Sequence, residues 1–110
     1  MKPKVNGNCY QNNMMAIWKE KNLANAKLVH GVAINSIDKE PMGHCWIETD
    51  DVVFDYSTGK QICVRKESYY KAGNMPVKGY KVYKYTRTEV LLHVTKYQTY
   101  GPWEQTGCKR

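Results

Sequence analysis

The apolar positions of the chain follow a helical period at both ends and a strand-like pattern in the middle. Near the N-terminus, Tyr10, Met14, Ile17 and Trp18 recur at helical spacing within the segment Cys9 to Lys21, and Asn8 can act as the N-cap. We therefore predict an amphipathic helix over this segment, with the cysteine in its first turn.

The central part of the chain favours antiparallel strands. Lys27 to Ile34 is β-branched and apolar, which is typical of a buried strand. Asn35 to Gly43 is rich in turn-forming residues and predicts a loop. His44 to Thr49 and Val52 to Tyr56 flank the pair Asp50-Asp51, and this pattern predicts a β-hairpin.

Further short elements are predicted behind the hairpin. Two strands fall near 61–64 and 80–85, and a short helix over 66–71 closes at Gly73.

The C-terminal helix has a clear start signal. Thr86 and Glu89 have the spacing of a capping box, and the apolar-periodic stretch behind them predicts a helix to about Tyr100, where Gly101-Pro102 stops it. The predicted architecture is α+β, with an N-terminal helix packed on an antiparallel sheet and a closing helix, in a single domain over residues 1–110.

The hairpin brings a histidine and a carboxylate to one face. If its loop has two residues, counting outward places Trp46 opposite Asp55. Side chains two apart on a strand share a face, so His44 and Asp55 project from the same side as diagonal neighbours. The carboxylate can then accept a hydrogen bond from one imidazole nitrogen and leave the other nitrogen to act as a base.

Cys9 is the nucleophile that such a base needs. A helix N-terminus and a neighbouring imidazolium both stabilise a thiolate, which attacks an acyl carbon to form a thioester that water or an amine resolves. Backbone N–H groups at the same helix end can hold the oxyanion, with the Cys9 amide as the first candidate. Asn6, Asn8 and Gln11 are alternative side-chain donors, and the sequence does not choose among them.

Two further residues are candidates for the substrate or oxyanion site. His30 lies in the middle of a predicted strand beside Gly31, where it either lines the cleft or packs in the core. Trp46 either shields the His44–Asp55 pair from water or fills the core.

These motifs resemble those of transglutaminase-like proteins. The segment 43–48 (GHCWIE) resembles the His strand of that family, and 52–57 (VVFDYS) resembles its Asp strand. Cys9 matches the family's nucleophile in order and position. The resemblance implies a minimal papain-like fold with Cys9, His44 and Asp55 as a catalytic triad. The chain also resembles short phage-encoded proteins, through 28–31 (LVHG), 43–46 (GHCW) and 101–103 (GPW), and that likeness implies no known activity.

The composition of the chain indicates which classes of partner and substrate are favoured. Lys and Arg number 17 against 10 Asp and Glu, a net charge of +7 over 110 residues. This balance favours an acidic protein or peptide as substrate, and nucleic acid is a less favoured partner because the charges are scattered. We expect no membrane partner and a cytoplasmic location, in the host cytoplasm if the chain is phage-encoded. The four cysteines lack zinc-site spacing, so no metal or other cofactor is predicted.

The sequence thus predicts a cysteine-dependent acyl-transfer enzyme, such as a peptidase, amidase, deamidase or transglutaminase. The alternative is a phage-type protein on the same fold that has no catalytic activity and inhibits a host protein or binds nucleic acid.

Overall fold

Antiparallel strands form the centre of the protein. The computed structural model describes residues 4–5, 9–34, 37, 39, 41–73, 82–101 and 103. The strands of this part of the chain are β1 (Lys4–Val5), β2 (Lys27–Ile34), β3 (Pro41–Glu48), β4 (Val52–Asp55), β5 (Ile62–Arg65) and β6 (Tyr83–Tyr85). Five of them pair antiparallel in the order β5-β4-β3-β2-β6, and β1 runs parallel to β3.

Helices cover both faces of this sheet. They are α1 (Cys9–Lys19), α2 (Lys66–Ala72) and α3 (Arg87–Tyr97), with a 3₁₀ turn at Lys21–Leu23. On one face, Ile17 of α1 and Val90 of α3 join Ile47 in the larger hydrophobic cluster. On the other face, Tyr69 of α2 packs against Trp46. Successive residues of β3 therefore face different helices, because strand side chains alternate.

The predicted α+β architecture is confirmed, and so are the buried strand and the hairpin. β2 has the predicted bounds. The Thr49 N–H donates to the Val52 carbonyl at 2.9 Å, and Ile47 pairs with Phe54, so the hairpin loop has two residues. This register places the His44 and Asp55 side chains on the same face, as expected.

Two predicted boundaries near the site are wrong. β3 begins at Pro41, so the loop predicted up to Gly43 is strand over 41–43. The reason is tertiary: Met42 and Gly43 each pair with a residue of β2 and with a residue of β1. The rest of that predicted loop lies largely outside the described residues. α1 ends at Lys19, earlier than predicted, and the 3₁₀ turn follows it.

The last helix also ends early. It stops at Tyr97 rather than near Tyr100 because Gln98 adopts a left-handed conformation with φ 55°. Gly101 has φ +120°, and a Cβ there would lie 2.8 Å from Cε1 of His30, so glycine allows the chain to turn against this buried ring. Of the strand predicted near 80–85, residues 80 and 81 lie outside the described part.

α3 is anchored to α1 at its first turn. The predicted capping box is confirmed, since Thr86 Oγ1 accepts from the Glu89 N–H at 3.1 Å and the Thr86 N–H donates to Glu89 Oε1 at 2.8 Å. Arg87 then donates to the Ile17 and Glu20 carbonyls at 2.8 and 2.6 Å. These carbonyls lie at the C-terminal end of α1, where helix carbonyls lack helical partners. The contact holds α1 on the sheet.

Every helix in the described part of the chain is too short or too polar to span a bilayer.

Removing the cap should destabilise the protein. Thr86→Ala is expected to lower the free energy of unfolding by about 1 kcal/mol, because the Glu89 amide loses its acceptor. Thr88→Ala, an exposed position on the same helix, is the matched control and should change stability little. Urea denaturation of both variants measures the difference, and equal stabilities would contradict the role given to the cap.

Candidate active site

Cys9 occupies the first position of α1. Cys9 is 5% exposed and belongs to the hydrophobic cluster between α1 and the sheet. The first N–H groups of a helix have no helical acceptor and carry a partial positive charge, so this end of α1 favours an anion. The thiol is hydrogen-bonded to His44.

Two further groups contact His44, the carboxylate of Asp55 and the hydroxyl of Tyr69. Its Nε2 lies 3.4 Å from Asp55 Oδ2, at the end of β4, and 2.6 Å from the hydroxyl oxygen of Tyr69 on α2. The Tyr69 O–H donates to the same Asp55 oxygen at 2.6 Å. A hydroxyl that donates to the carboxylate accepts from the imidazole, so Nε2 carries a proton. Nδ1 is then the nitrogen that is left for a further hydrogen bond.

The carboxylate is kept ionised by its contacts. Burial would raise the pKa of Asp55, but hydrogen bonds from His44, Ser57 and Tyr69 outweigh burial and hold that pKa well below its usual range. The Ser57 N–H donates to Asp55 Oδ1 at 2.8 Å, and the Ser57 hydroxyl donates to the same oxygen. A fixed negative charge therefore stands behind the imidazole.

His44 is protonated at neutral pH. Burial would lower the pKa of this imidazole, but hydrogen bonds with Asp55 and Cys9 and electrostatic interactions with the same two groups raise it to about 9. An imidazolium beside the sulfur favours the thiolate form of a cysteine. The arrangement has the parts of a nucleophile, a proton donor and an orienting carboxylate.

The structure brings together the three residues predicted as a triad. Trp46 is buried, its ring centroid lies 5.6 Å from that of His44, and its indole N–H donates to Glu48 Oε1 at 3.1 Å. An oxyanion role for Trp46 would require that bond to break. Gln11 is exposed on α1, whereas Asn6 and Asn8 lie outside the described residues.

His30 lies in the core. It is fully buried, and its ring contacts those of Tyr10, Tyr85 and Trp103 at centroid distances of 4.9, 5.0 and 4.8 Å. Of the two roles the sequence left open for His30, packing in the core is the one that this position supports.

A second buried carboxylate, that of Glu48, lies on the same face of the sheet, and other residues balance its charge. Glu48 Oε2 lies 2.8 Å from Lys84 Nζ and 3.3 Å from Lys66 Nζ, and the Tyr70 hydroxyl donates to Oε1 at 2.7 Å. Burial opposes ionisation of Glu48, but these hydrogen bonds lower its pKa. Its charge is balanced by the two lysines.

Sequence reasoning missed two residues that contact the site. Tyr69 was predicted to lie on a short helix without a role, and only the packing of α2 on the sheet brings its hydroxyl to His44. Asn13, fully buried, donates to the Cys9 carbonyl and lies 3.3 Å from Asp55 Oδ1. A signal for Asn13 existed, because a polar residue four positions after Cys9 falls on the apolar face of the predicted helix.

Among the described residues, no group of three His, Cys, Asp or Glu side chains is arranged to hold a metal ion. A scan against protein-family models and searches of curated proteins and of solved structures found no match to this chain.

Removing the carboxylate charge should change the titration of His44. In Asp55→Asn we expect the pKa of His44 to fall from about 9 toward 6.5, because the anion that stabilises the imidazolium is lost. NMR titration of the histidine ring protons measures this shift. Asp51→Asn, an identical change in the exposed hairpin loop, is the control and should leave that pKa unchanged. Equal titration of His44 in both variants would contradict the assigned contacts.

Proposed function

We propose that the protein is a cysteine-dependent acyl-transfer enzyme with a minimal papain-like, transglutaminase-like fold. One observation carries the proposal: the imidazole of His44 joins a thiol at a helix N-terminus to a buried, ionised carboxylate. The substrate would be an amide or ester, as in a peptidase, amidase, deamidase or transglutaminase reaction. The net charge of +7 favours an acidic protein or peptide, and the proposed setting is the cytoplasm.

The reaction would proceed in two halves. The Cys9 thiolate attacks the acyl carbon, and the His44 imidazolium gives its proton to the departing amine or alcohol as the bond to carbon breaks. A thioester on Cys9 and a neutral imidazole result. The imidazole then takes a proton from water or an amine, which attacks the thioester. Release of the acid or the new amide regenerates the thiolate, and His44 keeps the proton.

Two features support the charge changes in this scheme. The carboxylate of Asp55 and the hydroxyl of Tyr69 hold Nε2–H, so Nδ1 is the nitrogen that exchanges protons at the sulfur. The N–H groups in the first turn of α1, beginning with the Cys9 amide, point out of the helix end that carries the nucleophile, and they are the candidates to hold an oxyanion on the attacked carbon.

A non-catalytic binding function is the alternative, and an exposed apolar surface favours it. A groove of about 260 Å³ lies between α1 and α3, lined in part by Met15 and Val94. Trp18 and Leu91 also line it and are 47% and 43% exposed. Exposed apolar patches mark protein-binding sites in many proteins. The reactivity of Cys9 separates the two functions.

Alkylation by iodoacetamide tests the proposal. We expect Cys9 to react well below pH 8 and roughly tenfold or more faster than an ordinary thiol, because ordinary thiols are mostly protonated there. Cys63 is exposed and serves as the internal control within the same molecule. Peptide mass mapping gives both rates, and His44→Ala should remove the preference for Cys9. A Cys9 that reacts more slowly than Cys63 at every pH would refute an enzyme and favour binding.

An activated ester tests the acyl step directly. Incubation with p-nitrophenyl acetate should release a burst of nitrophenolate and leave one acetyl group on Cys9, as detected by intact-protein and peptide mass spectrometry. Cys9→Ala should give no burst, and Cys63→Ala should behave like the unmodified protein. Acetylation spread evenly over the cysteines would argue against the proposed thioester.

A further inference from the structure

The two hairpin strands separate next to the site, at a point that their register identifies. Hydrogen-bonded pairs alternate along an antiparallel ladder. Thr49 and Val52 form one such pair, and Ile47 with Phe54 is the next in the same register. The pair after that would join Cys45 to Tyr56. The observed pairing of β3 with β4 covers only residues 47–48 and 53–54.

A side-chain amide takes the place of this third pair. Asn13 Nδ2 donates to the Cys45 carbonyl at 3.0 Å, and Asn13 Oδ1 accepts from the Tyr56 N–H at 2.9 Å. The carbonyl and the N–H that a continued ladder would have joined are therefore bridged by the inserted amide. An amide can do this because it carries a donor and an acceptor on one planar group.

The edge of β3 that faces β4 thus has three successive neighbours. β4 pairs with it at residues 47–48, Asn13 bonds to Cys45, and β1 pairs with Met42 and Gly43. β2 occupies the opposite edge over the whole length of β3. His44 lies between the residue that bonds to Asn13 and the residues that pair with β1. The separation of the strands is therefore located at the imidazole.

This separation matters because the nucleophile and the base come from different faces of the sheet. Cys9 belongs to α1 and to the cluster that contains Cys45, whereas His44 shares its face with Trp46 and Tyr69. A continuous β3–β4 ladder would stand between them. Asn13 lies one helical turn after Cys9 and also donates to its carbonyl at 2.9 Å, so the residue that spreads the strands also holds the first turn of α1.

We propose that Asn13 is a positioning residue, whose amide replaces one rung of the β3–β4 ladder and holds open the gap through which the Cys9 sulfur reaches His44. The inference rests on the proposed function in that the sulfur and the imidazole it aligns are the reacting groups. Asn13 acts through them and has no direct part in bond making.

Asn13→Ala tests the inference through the pKa of His44 and the alkylation rate of Cys9, two properties that a loss of stability alone would not change. We expect the pKa of His44 to fall below its value of about 9 in the folded variant, because the imidazole loses its contact with Cys9 while keeping that with Asp55. The rate of Cys9 alkylation below pH 7 should drop by roughly tenfold or more. Asn12→Ala is the matched control: Asn12 neighbours Asn13 on α1 and donates to the Ser57 carbonyl at 3.1 Å. It should keep both properties.

A variant that loses stability but keeps a His44 pKa near 9 would overturn the inference, because Asn13 would then be only structural. Hydrogen exchange on the unmodified protein covers the case in which Asn13→Ala does not fold. The Asn13 side-chain amide protons and the Tyr56 N–H should be strongly protected, and rapid exchange of the Asn13 amide would overturn the inference.

The same data separate failure of this inference from failure of the proposed function. If Cys9 forms no acyl-enzyme but Asn13→Ala still shifts the titration of His44, the chemistry is refuted and the positioning role stands. If Cys9 is acylated in both the unmodified protein and Asn13→Ala at equal rates, the enzyme stands and the positioning role is refuted.

Discussion

The contact of the His44 imidazole with Asp55 is the interaction around which the rest of the site is arranged. A largely buried imidazole would ordinarily lose its proton, because water no longer stabilises the charge. Here the carboxylate of Asp55 on one side and the sulfur of Cys9 on the other reverse that preference. Burial then strengthens the attraction, since charges interact more strongly away from water. The imidazolium is held where it can both stabilise a thiolate and give up a proton.

The two buried carboxylates on this face show why only one of them can serve the imidazole. The charge of Glu48 is balanced by two lysines, Lys66 and Lys84. Asp55 forms its ion pair with His44 and is otherwise stabilised by hydroxyl and amide donors. Its negative charge therefore acts on the imidazole and raises the pKa of His44. Glu48 lies four residues from His44 on β3, with Trp46 between them on the same face, and this spacing keeps the two networks apart.

Local sequence signals predicted much of the fold because their physics is local. The capping box at Thr86 depends on a residue three positions away, and the hairpin register depends on the length of its own loop. Alternation along the strand then placed His44 and Asp55 on one face before any tertiary contact was known. The loop predicted over 41–43 was wrong for the opposite reason. These residues favour turns locally, but they pair with β1 and β2 and so form part of β3, because such pairing overrides local preference.

Backbone periodicity and residue chemistry were enough to identify Cys9, His44 and Asp55 as candidates, because each lies at a position set by its own helix or strand. Asn13 and Tyr69 could not be found in that way. Their roles depend on how α1 and α2 pack against opposite faces of the sheet, and on the gap that opens between β3 and β4. A side chain from one element becomes part of the hydrogen bonding of another only after the chain has folded, and no spacing along the sequence records that contact.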